Sequence, residues 1–495
     1  MLAFACMPQV GFDLQNSARE EMLHEGFNPD WAPGTKEQLA ALKGQPAPAL
    51  APDVRDLRKL LWSSIDNDSS RDLDQIEYAE RIANGIRVLI GIADVDGDVP
   101  GGSPIDQHAA SQTTTVYTAV RTFPMLPEDL STDLTSLADG ADRLAIVIEF
   151  LVSPDGSIAS SDVYRALVRN QAQLTYSGVG LWLDALQANA SAQPPPKVAA
   201  SPALADQLKL QNEAARALRQ QRHRLGALEF DRVEADPVIS NGEIKNIQAL
   251  HKNGASDLIE DFMVAANEVM ARTLSQSGVS NIRRVVKSPE RWPRIVELAS
   301  ARGSTLPSQP DSGALAAFLS EQKQKDPVHY ADLSLSVVKL MGPGEYVLSK
   351  PGDPDQGHFG LAAHDYTHST APNRRFADLV TQRLIKAALS KKPSPYSDGE
   401  LDAIAKNCTL KEDAARKVER TMSKRVAAVA FHNRRGESFN AIVTGVTPKG
   451  VFVRVANPPI EGRLMRGEQG VDVGDQIRVT LLNTDPQRGY IDFGR

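Results

Sequence analysis

The sequence predicts an α+β protein: a large mixed α/β body over residues 58–435, a small five-stranded OB-type β-barrel over 436–495, and a short, mainly helical segment over 1–57. Three observations carry this reading. β-branched apolar runs at 87–94 (RVLIGIAD) and 144–152 (LAIVIEFLV), the second followed by the turn Ser153-Pro-Asp-Gly156, have the composition of buried strands. Residues 206–225, 256–274 and 411–431 repeat apolar side chains at helical spacing, as in Leu258, Ile259, Phe262, Met263, Ala266, Val269 and Met270. The tail breaks into short strand-like runs at 437–446, 450–455, 460–465, 475–482 and 489–493, separated by Pro, Gly and Asp turns.

From the N-terminus, residues 36–43 read as one helix, cut off by the Pro/Ala stretch at 44–52. Residues 1–7 lack a basic region and are too short for a signal peptide. The Ala/Pro/Ser-rich stretch at 188–203 reads as an exposed loop between two structured segments. At 495 residues the chain has room for about three domains of ~100–200 residues. Cys6 and Cys408 make no disulfide framework and no metal-binding pair, which fits a reducing cytoplasm. No apolar run approaches the ~18 residues of a membrane helix. The 55 Lys and Arg against 62 Asp and Glu give a charge of −7, which on average disfavours a polyanionic partner. Locally the balance reverses. Residues 209–224 hold Lys209, Arg216, Arg219, Arg222 and Arg224 against Glu213, and 411–435 hold eight Lys and Arg against three acids. Such runs are either solvated helix faces or a track for a sugar-phosphate backbone.

The densest chemistry lies at 64–75. Asp72 and Asp74, two apart, point to one side of an extended chain, and Asp66 folds back across a Ser/Asn loop to join them. Crowded carboxylates repel unless a cation sits among them, and hard oxygen donors suit Mg²⁺ or Mn²⁺. The plain alternative is a solvated acidic loop. Ile65 and Leu73 between the acids, with a buried strand close behind, weigh against it.

The stretch Ile65-Asp-Asn-Asp-Ser-Ser-Arg-Asp-Leu-Asp74 resembles the acidic signature of the ribonuclease II/ribonuclease R exoribonucleases. The resemblance continues in order through Gly91-Ile-Ala-Asp-Val95, Gly102-Ser-Pro-Ile-Asp106, Phe123-Pro-Met-Leu-Pro-Glu-Asp-Leu-Ser131, Gly357-His-Phe-Gly-Leu361 and the run from Tyr366 to Leu379 (YTHSTAPNRRFADL). It implies a catalytic domain of that type followed by an S-one type OB-fold domain. Asp66, Asp72 and Asp74 match its metal-binding and catalytic aspartates, and Arg374 its arginine near the scissile phosphate. Tyr117, Tyr176 and Phe230 match aromatics that hold the 3′ end of RNA, and Glu260 a glutamate at the terminal nucleotide. In the tail, Val451, Val453 and Val455 alternate with Phe452 and Arg454, so an aromatic and a cation face outward toward RNA. Local signals at 370–372 read as a helix start, with Thr370 as cap and Pro372 near the first turn, which would place Arg374 at a helix N-terminus.

Two departures stand out. Gln75 occupies the place of a usual fourth aspartate, leaving Asp68 or Glu77 to assist a second metal. The leader is too short for the usual pair of cold-shock domains, and a helix-turn-helix-like module is compatible with its length. The implied function is a monomeric, cytoplasmic, Mg²⁺-dependent (or Mn²⁺-dependent) hydrolytic 3′-to-5′ exoribonuclease that releases nucleoside 5′-monophosphates from single-stranded RNA, without a membrane partner. The alternative is a non-catalytic RNA-binding protein on the same scaffold. A nucleotidyltransferase would need a phosphate loop, and the sequence has no Gly-x-x-x-x-Gly-Lys.

Overall fold

A computed structural model describes residues 12–45, 50–188, 191–231, 234–240, 243–250, 252–327, 329–354 and 356–495, the side chains of 234–240, 243–246 and 249–250 excepted. Cys6 and the 1–7 segment fall outside the described residues. In chain order the elements are α1 (Leu14–His24), α2 (Thr35–Lys43), β1 (Val54–Asp56), β2 (Trp62–Asp66), β3 (Gln75–Ile82), β4 (Gly85–Ala93), α3 (Pro104–Gln112), β5 (Val116–Tyr117), β6 (Thr122–Phe123), β7 (Asp142–Val152) and β8 (Ile158–Thr175). There follow α4 (Tyr176–Gln187), α5 (Pro196–Ala199), α6 (Pro202–Arg224), β9 (Glu234–Ser240), β10 (Glu243–Leu250), α7 (Gly254–Gln276), β11 (Asn281–Val285), α8 (Trp292–Ser300), α9 (Ser312–Lys325), α10 (Tyr330–Met341) and β12 (Glu345–Ser349). The chain closes with α11 (Phe376–Leu389), α12 (Asp398–Ala430), β13 (Ser438–Thr447), β14 (Gly450–Val455), β15 (Ile460–Arg466), β16 (Gln476–Asp485) and β17 (Tyr490–Gly494). The α+β architecture read from the sequence is the observed one.

The body is organised by a sheet of order β1-β8-β2-β3-β4-β7, in which β7 also pairs with β8. β8 is 18 residues long, pairing with β7 along its first part and with β2 along its last, so the sheet curls back on itself. α6 and α7 cover it: Leu208 and Ala215 from one, Leu258 and Phe262 from the other, share a core with Ile65, Ile76, Val88 and Phe150. Removing that much apolar surface from water is the main term holding the body together. An Asn253–Ser256 capping box starts α7, satisfying backbone N–H groups that its first turn leaves over.

Two sequence readings change. The 188–203 stretch is not simply a loop, because it contains α5, whose Val198 is fully buried. Ser201 then caps α6, with Pro202 in the first turn where a missing N–H does no harm. α12 begins at Asp398, well before residue 411, because Ser397 and Glu400 form a capping box and Leu401, Ala405 and Cys408 extend the buried stripe.

α12 is the spine of the molecule. Its Ala414, Ala415, Val418 and Met422 pack with Ala18, Met22 and Phe27 of the N-terminal segment, while Ala428, together with Phe431 just beyond the helix, enters the core of the last domain. That domain is a closed barrel of order β13-β14-β15-β17-β16. Val451, Val453 and Val455 point into it and Phe452 out, as the alternation predicts. Gly450, at φ 126°, makes the turn into β14 in a conformation that side chains other than glycine rarely adopt.

Candidate active site

β2 ends at Asp66 and β8 ends at Thr175, and these two residues are partners in the parallel pairing. The register therefore sets Tyr176, the first residue of α4, beside Asp66, whose charge acts on the Tyr176 phenol. Asp66 Oδ1 accepts from the Asn67 N–H at 2.7 Å and the Ser70 hydroxyl at 2.8 Å, bonds that fold the 67–70 loop back. Asp72 is partly buried and Asp74 is 2 % exposed, immediately before β3. Burial pushes the Asp74 carboxyl up to about 7, against the pull of Arg374 and the Asn373 N–H. Asp72 is also raised by burial and feels the charge of Asp66.

Arg374 reaches this group from a different part of the chain. Its Nε lies 3.5 Å from Asp74 Oδ2, and the Asn373 N–H donates to Asp74 Oδ1 at 3.0 Å. Tyr117, 44 % exposed, interacts with the Arg374 guanidinium and feels the charges of Asp72 and Asp74. The expected helix start at 370–372 is corrected here. Residues 372–374 form a turn, and α11 begins only at Phe376. Arg375 is held extended by a bridge to Thr114, and Asp378 takes the Ala371 N–H at 2.8 Å and the Arg375 guanidinium at 2.7 Å. Arg374 thus projects from a clamped turn, not from the first turn of a helix.

The remaining candidates are dispersed. Glu260 is exposed, paired with Lys252, and its charge reaches Tyr176. Its neighbour Asp261 faces the opposite way, into Arg219 and Arg222. Phe230 leans on the cluster formed by Trp292, Ile295 and Phe318 in α8 and α9. Phe452 is 37 % exposed and lines a groove of about 480 Å³ between the barrel and α10, opposite Leu335, Ser336 and Lys339.

The two basic runs do not form continuous cationic faces. Arg219 and Arg222 are taken up by Asp257 and Asp261, Arg416 by Glu412 and Asp413, Lys417 by Glu25, and Arg425 by Glu21. Among the described residues Arg216, Arg420, Lys424 and Arg435 are exposed and carry no ion pair. Asp261, 1 % exposed between two arginines, is structural. Asp261→Asn is expected to lower stability by about 3 kcal/mol, since it leaves the partly buried Arg222 without its counter-charge and Arg219 with Asp257 alone. A shift in denaturation midpoint equivalent to less than about 1 kcal/mol would contradict this.

Sequence reasoning missed Asn373 and Asp378, while Arg375, read from the sequence as structural or a secondary phosphate contact, is held by Asp378. The Arg375-x-x-Asp378 spacing was the available signal, since residues three apart meet across one helical turn. Among the described residues, Glu21, His24 and Glu25 on α1 bring three possible metal-ligating atoms within 4.8 Å of one another. They are neutralised by Arg425 and Lys417, which makes them an ion-pair cluster. Asp66, Asp72 and Asp74 are spread more widely than that limit.

The model of the RNB domain matches residues 54–391, and that of the RNase II-type exonuclease C-terminal S1 domain matches 437–495. The chain belongs to the ribonuclease II/ribonuclease R family. Within the family, ribonuclease R of Thermotoga maritima is 29 % identical over 477 residues, which cover 89 % of this chain and 64 % of that protein. Ribonuclease R of Escherichia coli is 30 % identical over 506 residues, covering 94 % and 60 % respectively. The chain thus spans roughly three fifths of the length of these relatives. Mycoplasma genitalium RNase R, solved in complex with ribose methylated single-stranded RNA, superposes with a TM-score of 0.84 at 22 % identity, over 97 % of this chain and 78 % of that one. Yeast Ssd1, described as a pseudonuclease, shares the fold at a TM-score of 0.71 and 19 % identity, over 91 % and 56 %. Among the described residues of this family member no helix is long and apolar enough to cross a membrane.

Proposed function

We propose that this protein is a metal-dependent, hydrolytic 3′-to-5′ exoribonuclease that acts on single-stranded RNA and releases nucleoside 5′-monophosphates. The observation that carries this reading is the buried Asp74 carboxylate, faced by Arg374 and coupled to Asp72 and through it to Asp66. The donor set is all carboxylate oxygen, and the mutual repulsion of the three acids is of the kind a divalent cation relieves. Asp66, Asp72 and Asp74 would hold Mg²⁺ or Mn²⁺. Such an ion, when bound, polarises a phosphoryl oxygen and lowers the pKa of water.

Arg374 is the phosphate-facing group. Its side chain is 45 % exposed, so it can meet substrate while Asp74 fixes its base. A guanidinium offers two parallel N–H groups to phosphoryl oxygens as charge builds on them. Tyr117 beside it, and Tyr176 with Glu260, are assigned to the last nucleotides of a strand, and Phe230 to base stacking further out. Residues 58–435 would be the catalytic domain, 436–495 the RNA-binding S-one type domain and 1–57 a short, mainly helical segment preceding them. We assign the enzyme to the cytoplasm as a monomer, where the buried thiol of Cys408 stays reduced. Phe452→Ala is expected to weaken single-stranded RNA binding about tenfold, in line with ~1–3 kcal/mol for one stacked base, and to leave the barrel folded. Binding measured by fluorescence anisotropy within twofold of wild type would remove Phe452 from the RNA path.

Gln75 favours a second reading. It is 4 % exposed, at the start of β3 directly after Asp74, and brings no charge. In that reading the chain binds RNA without cutting it, as the fold's occurrence in a protein described as a pseudonuclease allows. Incubating 5′-labelled and 3′-labelled single-stranded RNA with Mg²⁺ separates the two. The enzyme releases a labelled mononucleotide at once from the 3′ label, shortens the 5′-labelled strand stepwise, and stops in EDTA. Full-length RNA under both Mg²⁺ and Mn²⁺, with tight binding retained, establishes the second reading instead.

A further inference from the structure

Glu77 is the charged side chain for which the proposed mechanism has no use, and its surroundings are unusual. It is 0 % exposed, and neither carboxylate oxygen has a hydrogen-bond partner. Buried carboxylates are normally paired or hydrogen-bonded, because desolvating an ion without a compensating donor is strongly unfavourable. Glu77 lies opposite Ser63 of β2 and two positions beyond Gln75, so alternation along β3 puts Gln75 and Glu77 on one face. Its environment is anionic: Asp66 lies close enough to repel it, and Glu77 in turn acts on the Tyr176 phenol. No lysine or arginine pairs with it among the described residues. Gln211, from α6, donates to the Ser63 hydroxyl and the Glu77 backbone carbonyl and also leaves its own Oε1 without a donor.

Building on the proposed function, we infer that Glu77 is the fourth acidic group of the metal site, supplying from the floor of β3 the negative charge that Gln75 lacks. Only a cation makes an ionised carboxylate stable in this position, and the Asp66 side of the pocket is where a divalent cation would sit. Asp68 is the competing acid, and it is already satisfied. It is exposed and accepts from the Ser177 hydroxyl at 2.7 Å.

The test counts bound Mn²⁺ by electron paramagnetic resonance on the full chain, without RNA, in wild type and in Glu77→Gln, Asp68→Asn and Asp74→Asn. Glu77→Gln is expected to weaken Mn²⁺ binding at least tenfold, or to remove one bound ion, and Asp68→Asn to change neither. A melting experiment in EDTA separates this from a packing defect. Glu77→Gln should melt no lower than wild type without metal, yet gain less from added Mn²⁺. Should Glu77→Gln fail to fold, Glu77→Asp, which keeps the charge and shortens the reach, is read in its place by the same criterion. If wild type binds Mn²⁺, Asp74→Asn does not, and the Glu77 variant matches wild type in affinity and count, the metal site stands and the role of Glu77 falls. Wild-type protein that binds no Mn²⁺ overturns both.

Discussion

Asp74→Asn is expected to reduce monophosphate release by on the order of a thousandfold, the upper range for loss of one preorganised electrostatic group, while RNA binding survives. The side chain is 2 % exposed, and asparagine keeps its shape. The amide oxygen can still accept the Asn373 N–H that now reaches Asp74 at 3.0 Å, so the 372–374 turn keeps its anchor. Only the charge is lost. Stability should move the other way in the absence of metal. The folded carboxyl titrates at about 7, whereas an unfolded aspartate titrates near ~4. As pH rises between these values the unfolded chain releases its proton first, so the ionised carboxylate weighs against folding above about pH 4, and most of all above about pH 7. In EDTA at pH 8 the variant should therefore melt no lower than wild type. Single-turnover cleavage within tenfold of wild type would sink the assignment of Asp74. A lower melting temperature would show that its charge serves the fold.

Arg374→Lys should fail nearly as badly as Arg374→Ala, with kcat falling about 10²–10³-fold and KM moving far less. Arginine is held here by its Nε, 3.5 Å from Asp74, and interacts with Tyr117, which leaves its planar fork oriented across the site. A lysine ammonium is a point charge on a flexible stem and reproduces neither the fork nor the orientation. If lysine restored kcat to within about threefold, a bare positive charge would suffice and the bidentate geometry assigned to Arg374 would be wrong.

The fold was largely legible because its signals are local. The 144–152 run became β7, the tail alternation became the barrel, and the periodicity of 256–274 became α7. Asp72-x-Asp74 was legible as a pair for the same reason. What stayed hidden depended on distant partners. Thr370-Ala-Pro372 carries every local mark of a helix start, yet Thr114 and Asp378 hold the next residues in another shape. The cationic runs looked like RNA tracks because Asp261, the partner of Arg222, is 39 positions away. Glu77 follows Ile76 in a strand, and alternation alone would send it to solvent. This sheet is covered on the face that Glu77 occupies, so an acid there is enclosed.

α12 carries one more consequence, for the order in which the molecule assembles. The Ser17 hydroxyl meets the Met422 sulfur across 405 positions, and the apolar face of α1 shares its cluster with Val116 and Phe123 and with residues 414–422. At ~5–20 residues per second of synthesis, α1 waits about 20–80 s for its α12 partners. The clasp between the two ends is therefore among the last contacts to close on a nascent chain, and one of high sequence separation. Until then, the 14–27 segment lacks the α12 side of its cover and is more open to a protease than in the folded molecule.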